Sequence, residues 1–167
     1  MKTLADLFEH TLQDVYYAEH ALTKALKTMQ GAAGSAELKA AFAEHLKETK
    51  EQIRILDQVF EMAGLEAKGE KCDAIDGIIK EGEGVIEESE GVARDAGLVA
   101  AAQAAEHYEI ARYGTLKEWA VALGHDDAAA QLDRILMQEK ACNNKLTALA
   151  VDSINKAPRK RAAPKNM

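Results

Sequence analysis

Four stretches of this chain repeat apolar residues at alternating steps of four and three, each over roughly 27 to 30 residues. No proline interrupts any of them, since Pro158 and Pro164 are the only prolines and both lie in the last ten residues. A strand cannot use that period. A helix about 40 to 45 Å long, at 1.5 Å per residue, has to bury its stripe against others of its kind. The richness in alanine, leucine, glutamate and lysine agrees with long helices, so the expected fold class is all-α. With 167 residues, 47% of them hydrophobic, the chain is large enough for a single buried core.

Turn signals divide the pattern. The first segment runs from about Thr3 to Gln30 and ends in "GAAGS", where Ser35 is available as the next N-cap. The second covers about Ala36 to Ala63 and stops at Gly64. The third begins near Asp95 to Leu98 and ends at "LGHDD", with Gly124 as the stop and Asp126 or Asp127 as the new start. The fourth continues to about Asn155. Short loops make the first pair and the last pair antiparallel hairpins. The long stretch from Gly64 to Gly97 can travel the length of a bundle and carry a short helix over Ile75 to Glu90. Two hairpins joined by one long crossover is the ferritin-like form of the four-helix bundle. Residues 1–157 are expected to form this bundle, and 158–167 ("PRKRAAPKNM") a solvated basic tail.

The seams are each interrupted near the middle. Phe8, Leu12, Val15, Leu22 and Leu26 form a series whose missing member is Glu19. In the third segment Leu98, Ala102, Ala105, Leu116 and Leu123 surround Glu109. In the fourth, Ala128, Leu132, Ile135, Cys142, Leu146 and Leu149 surround Glu139. The second is looser: beside Leu38, Phe42, Leu56, Val59 and Phe60, His45 lies centrally and Glu48 on the inner flank. Counting outward from the loops puts Glu19 level with Glu48 and Glu109 level with Glu139, at separations of 29 and 30 residues. Four carboxylates are thus expected to meet at mid-bundle.

Several carboxylates facing one another in a core repel, and each costs several kcal/mol to desolvate. The seams offer no matched set of cations, so the favoured account is a pair of metal ions bridged by carboxylates, of the iron or manganese type that suits oxygen donors with one imidazole. A protonated, hydrogen-bonded polar layer is the alternative for the glutamates, and a satisfied core histidine the alternative for His45. Tyr16, Tyr17, Tyr108, Tyr113 and Trp119 read as core aromatics before redox groups. Cys142, one turn from Glu139, reads as a small buried hydrophobe before a sulfur ligand.

Other classes are disfavoured. No apolar run approaches the length of a membrane span and the N-terminus lacks a secretion pattern, so no membrane partner and a cytoplasmic location are expected. A net charge of −7 argues against nucleic acid as a partner. Cys72 and Cys142 have no zinc or disulfide spacing.

The stretches "LQDVYYAE", "HLKETKEQ", "EHYEIARYGTL" and "LMQEKA" resemble the YciF/YciE-type bacterial stress-associated proteins over nearly the whole chain. The resemblance implies a ferritin-like bundle, a homodimer, and a di-iron carboxylate site similar to that of rubrerythrin, with manganese or another divalent metal as the alternative ion. It carries over Glu19, Glu48, Glu106 with Glu109, and Glu139 as metal ligands, with His45 and Asp14 as additional candidates. The usual ExxH pairs are missing: Glu48 is followed three on by Glu51, Glu139 by Cys142, and His45 precedes Glu48 in the order HxxE. The family has no established activity; a ferrous pair held by such carboxylates is expected to react with dioxygen or hydrogen peroxide, oxidising iron or removing peroxide. The competing reading is a structural or interaction homodimer whose metal site is vestigial or purely structural.

Overall fold

A computed structural model describes residues 1–156; the basic tail, 158–167, lies outside the described residues. The elements are α1 (Leu4–Ala32), α2 (Ala36–Met62), α3 (Asp73–Glu88), α4 (Gly91–Ala122) and α5 (Asp126–Asp152), followed by a 3-10 turn at Ile154–Lys156. Local chemistry sets the ends. Thr3 and Asp6 form a capping box on α1, and Ser35 caps α2 by accepting from the Leu38 amide. Gly64 and Gly124, at φ 71° and 78°, take the left-handed conformation that closes α2 and α4.

Contacts between ends fix the directions. The backbone amides of Gly34 and Ser35, in the α1–α2 turn, donate to the buried Asp95 near the start of α4, at 2.7 and 2.8 Å. Ser153, after α5, donates to Glu37 at the start of α2. At the other end Phe8 stacks on His125 of the α4–α5 turn. Hence α1 and α5 run one way, α2 and α4 the other. Neighbours around the square, α1–α2–α5–α4, are all antiparallel. This is the ferritin-like bundle with one long crossover.

The crossover lies along α1 and α4. The Glu70 amide donates to the Gln13 carbonyl at 3.2 Å, and the Tyr17 hydroxyl donates to Asp76 at 2.9 Å. α3 meets α4 so closely at Gly97 that a Cβ there would stand 2.6 Å from a methyl of Val85 and force that side chain to shift. Because α3 ends at Glu88 and the chain turns within two residues, α4 begins at Gly91, earlier than the Asp95 to Leu98 expected from turn signals. Packing against α1, α3 and α5 gives α4 a wide buried face, including Val99, Glu106 and Tyr113 beside the expected series.

Candidate metal centre

Halfway along the bundle the apolar core gives way to one polar layer. Glu19 of α1, Glu106 and Glu109 of α4, and Glu139 of α5 are each no more than 1% exposed, and His45 and Gln52 of α2 are 4% and 1% exposed. The Tyr113 hydroxyl donates to Glu19 Oε1. Gln52 Nε2 donates to Glu139 Oε1 at 2.6 Å. His45 Nε2 stands 3.0 Å from Glu106 Oε1, without the alignment of a hydrogen bond. Single donor atoms of His45, Glu106, Glu109 and Glu139 all lie within 4.8 Å of one another, and His45, Glu106 and Cys142 form a second such group.

Burial dominates the acid–base behaviour of the layer. It raises Glu19 and Glu109 well above the ordinary carboxyl range, with the charges of Glu139 and Glu19 respectively adding to the effect. Glu106 is pushed up to about 10 by burial and then by Glu139. Glu139 rises only to about 7, because burial is offset by the proximity of the Glu106 carboxyl and by the Gln52 hydrogen bond, although the nearby charge of Glu48 acts upward. Burial, aided by the charge of Lys145, lowers His45 to about 4. At neutral pH His45 is therefore uncharged, with a ring lone pair free to coordinate, and Glu106 holds a proton. Their 3.0 Å contact then joins two neutral groups.

The donor set fits a metal. Among the described residues, every buried side-chain polar atom without a hydrogen-bond partner, apart from Gln131 Oε1, belongs to this layer: Glu19 Oε2, His45 Nδ1, Gln52 Oε1, both oxygens of Glu106, and Glu109 Oε2. Unpaired buried oxygens cost about 1–3 kcal/mol each. A cation would satisfy several of them at once and replace the protons that burial otherwise forces onto the carboxylates.

The structure brings together Glu19, His45, Glu106, Glu109 and Glu139. It sets Glu48 and Asp14 apart. Glu48 is 30% exposed and lies 3.7 Å from Lys145, while Asp14 faces His10 at 3.8 Å and is 14% exposed. The buried fourth carboxylate is Glu106, one position from the α4 seam, and not Glu48. The reason lies in α2, whose buried series is Leu38, Phe42, His45, Thr49, Gln52, Leu56 and Val59. That is an unbroken run of four-three steps. It turns His45, Thr49 and Gln52 inward and leaves Glu48 on the flank. Gln52 was not singled out from the sequence, although continuing the step past His45 reaches it.

The family model described as "Domain of unknown function (DUF892)" matches residues 3–158. The chain belongs to this family. It is 47% identical over 164 residues to Protein YciF of Escherichia coli (strain K12), covering 97% of this chain and 99% of that protein. The crystal structure of the E. coli stress protein YciF superposes with a TM-score of 0.90 at 48% identity, over 93% of this chain and 99% of the other. YcfI of Rhodopseudomonas palustris, whose description proposes a structural role, gives 0.84 at 50% identity over 87% and 94%. A Xanthomonas campestris protein shares the fold alone, at 21% identity and a TM-score of 0.72 over 92% and 94%. The DUF892 chain described here is thus a homologue of a stress protein. Among its described residues no helix is long and apolar enough to cross a membrane.

Proposed function

We propose that the mid-bundle layer is a carboxylate centre for two metal ions, iron in the first instance, in a stress-associated protein that oxidises ferrous iron or reduces peroxide. The observation that carries this reading is the gathering of four fully buried glutamates, with half of their eight oxygens unpartnered, around one neutral imidazole. When bound, a ferrous pair supplies the electrons for reduction of dioxygen or hydrogen peroxide.

The chain's own residues have separable parts in this reading. Glu106, Glu109 and Glu139 with His45 form the compact donor group, and Glu19 completes the carboxylate set from α1. The Tyr113 hydroxyl orients Glu19 and keeps a proton beside the centre. Gln52 holds Glu139 in place by a bond to one oxygen and leaves the other to coordinate. Apolar clusters on either side, around Leu12 and Leu56 in one direction and Leu26 and Phe42 in the other, keep bulk water out. Glu48 and Asp14 lie outside the compact group and would join only through side-chain movement.

A purely structural site is the second reading. It is favoured by α2 and α5, which place the neutral Gln52 and Cys142 at the inner positions, and by the structural role proposed for the R. palustris relative. One experiment separates the two. Protein reconstituted anaerobically with ferrous iron is analysed for metal beside a Glu109→Ala, Glu139→Ala double variant, then exposed to oxygen or peroxide. About two irons per chain, lost in the variant, with consumption of either oxidant, is the expected result. Bound metal without turnover leaves the structural reading. No specific metal in the parent protein sinks both and leaves a protonated polar layer. The reading includes a homodimer, which sedimentation velocity would report as a species of twice the chain mass.

A further inference from the structure

The imidazole of His45 forms part of the floor of a narrow cleft between α2 and α5 that opens to solvent. At its rim stand Glu44 and Glu48 of α2, and Lys145 of α5 reaches across to both, at 3.1 and 3.7 Å. Exposure falls steadily inward: 59% for Glu44 and 55% for Lys145, 30% for Glu48, then 6% for Cys142 and 4% for His45 at the bottom. The space inside is about 20 Å³, enough for one water-sized body.

Acidic groups on a surface are ordinarily only a solvated rim. Here a second feature lies beneath them, because Nδ1 of His45 is fully buried with no hydrogen-bond partner. Cys142 Sγ, His45 and a Glu106 oxygen also stand close enough together to hold one cation. The donors therefore continue from the rim to the layer: two carboxylates, then an imidazole and a thiol, then the glutamates. Lys145 is the one obstacle in this series. Its ammonium occupies the place between Glu44 and Glu48 that an incoming cation would take.

We propose that this α2–α5 cleft is the entry port for divalent cations, with Glu44 and Glu48 as the capturing carboxylates and Lys145 as a displaceable plug. The proposal rests on the metal-centre reading above and gives the flanking Glu48 a part in transit. Capture by paired carboxylates selects a small hard cation and raises its local concentration. Movement of Lys145 into solvent is inexpensive because its ion pairs are half-exposed. Transfer then proceeds by ligand exchange, from the rim past His45 and Cys142 to the four glutamates, with release to solvent of the protons that the cation displaces and no change in oxidation state.

Metal uptake by the full chain is followed by stopped flow, using the absorption of cobalt(II) as it enters the site, with final occupancy from elemental analysis. For Glu44→Gln, Glu48→Gln the expected result is uptake slowed about tenfold, within the range known for charge focusing, with unchanged final occupancy. Lys145→Met should load several-fold faster. Glu87→Gln, Glu88→Gln makes the same change of net charge on the exposed end of α3 and should leave the rate unaltered. Equal rates in all variants at full occupancy would overturn the port while leaving the centre intact. Reduced final occupancy in the Glu44→Gln, Glu48→Gln variant would make the rim a ligand set of the bound metal and also overturn the port as stated. A parent chain that takes up no cobalt and no ferrous iron would remove the centre and the port together.

Discussion

The apolar core toward the start of α1 and the polar layer at the level of Glu19 are buried alike and behave in opposite ways. Toward the start of α1, Phe8, Leu12, Leu56, Phe60, Leu116 and Leu132 belong to an apolar cluster, and none of these six is more than 2% exposed. Burial there stabilises by itself, at roughly 25 cal/mol per Å² of apolar surface. In the adjoining layer Glu19, Glu106 and Glu109 are as deeply buried, yet burial costs free energy until a proton or cation neutralises each carboxylate. Equal burial therefore says nothing about sign. The apolar end holds the bundle together, and the polar layer uses part of that stability to keep oxygen donors dry.

The largest expected effect comes from breaking the apolar side. Phe60 is fully buried and meets the Tyr16 ring edge-on at 5.3 Å between centroids. Phe60→Ala should lower unfolding free energy by about 3–5 kcal/mol, measured by urea denaturation. The loss should be the same at pH 5 and pH 8, and the same with or without metal, because the cavity lies away from the titrating layer.

Next in size is the response of the polar side to a cation. Ferrous iron or cobalt(II), free at a hundred times its dissociation constant, should stabilise the parent protein by about 2.7 kcal/mol, seen as a raised melting temperature. The Glu109→Ala, Glu139→Ala variant should show no such rise. Equal stabilisation of both would place the binding elsewhere and remove the contrast between the apolar core and the polar layer.

A third effect is expected from pH alone, about 1.4 kcal/mol for each pH unit over which one carboxyl keeps its proton in the folded chain only. Glu139 and Glu106 have folded-state values raised to about 7 and about 10 from an ordinary 4.5. The folded protein therefore binds more protons than the unfolded chain across that range. Stability without metal is fully present below about pH 4.5, falls as pH rises through 7, and keeps falling toward 10. Denaturation at pH 5 and pH 8 checks this, and Glu139→Gln should flatten the decline between them. With metal bound the trend should reverse, since loading releases protons and is favoured at higher pH.

The sequence was legible wherever apolar residues flank the polar member of a seam. In α1, α4 and α5 the four-three series continues on both sides, so it identifies Glu19, Glu109 and Glu139 as inward-facing, and the loop residues Ser35, Gly64 and Gly124 mark the helix ends. It was less legible in α2 and beside the α4 seam. His45, Thr49 and Gln52 continue the α2 series as polar side chains, so a search for apolar stripes broke off there and drew in Glu48. In α4 the third neighbour, α3, widens the buried face, which a single-seam reading does not anticipate.

By itself, the sequence determined an all-α bundle of two hairpins with a long crossover, and a polar interruption at the middle of its seams, because period and turn chemistry are local and survive without knowledge of neighbours. Which carboxylates share the dry layer was decided only by the tertiary structure. Glu106 is buried because α1, α3 and α5 enclose α4, and Glu48 reaches solvent because α2 rotates His45 and Gln52 inward. Such rotations depend on what packs opposite, and no single helix records that.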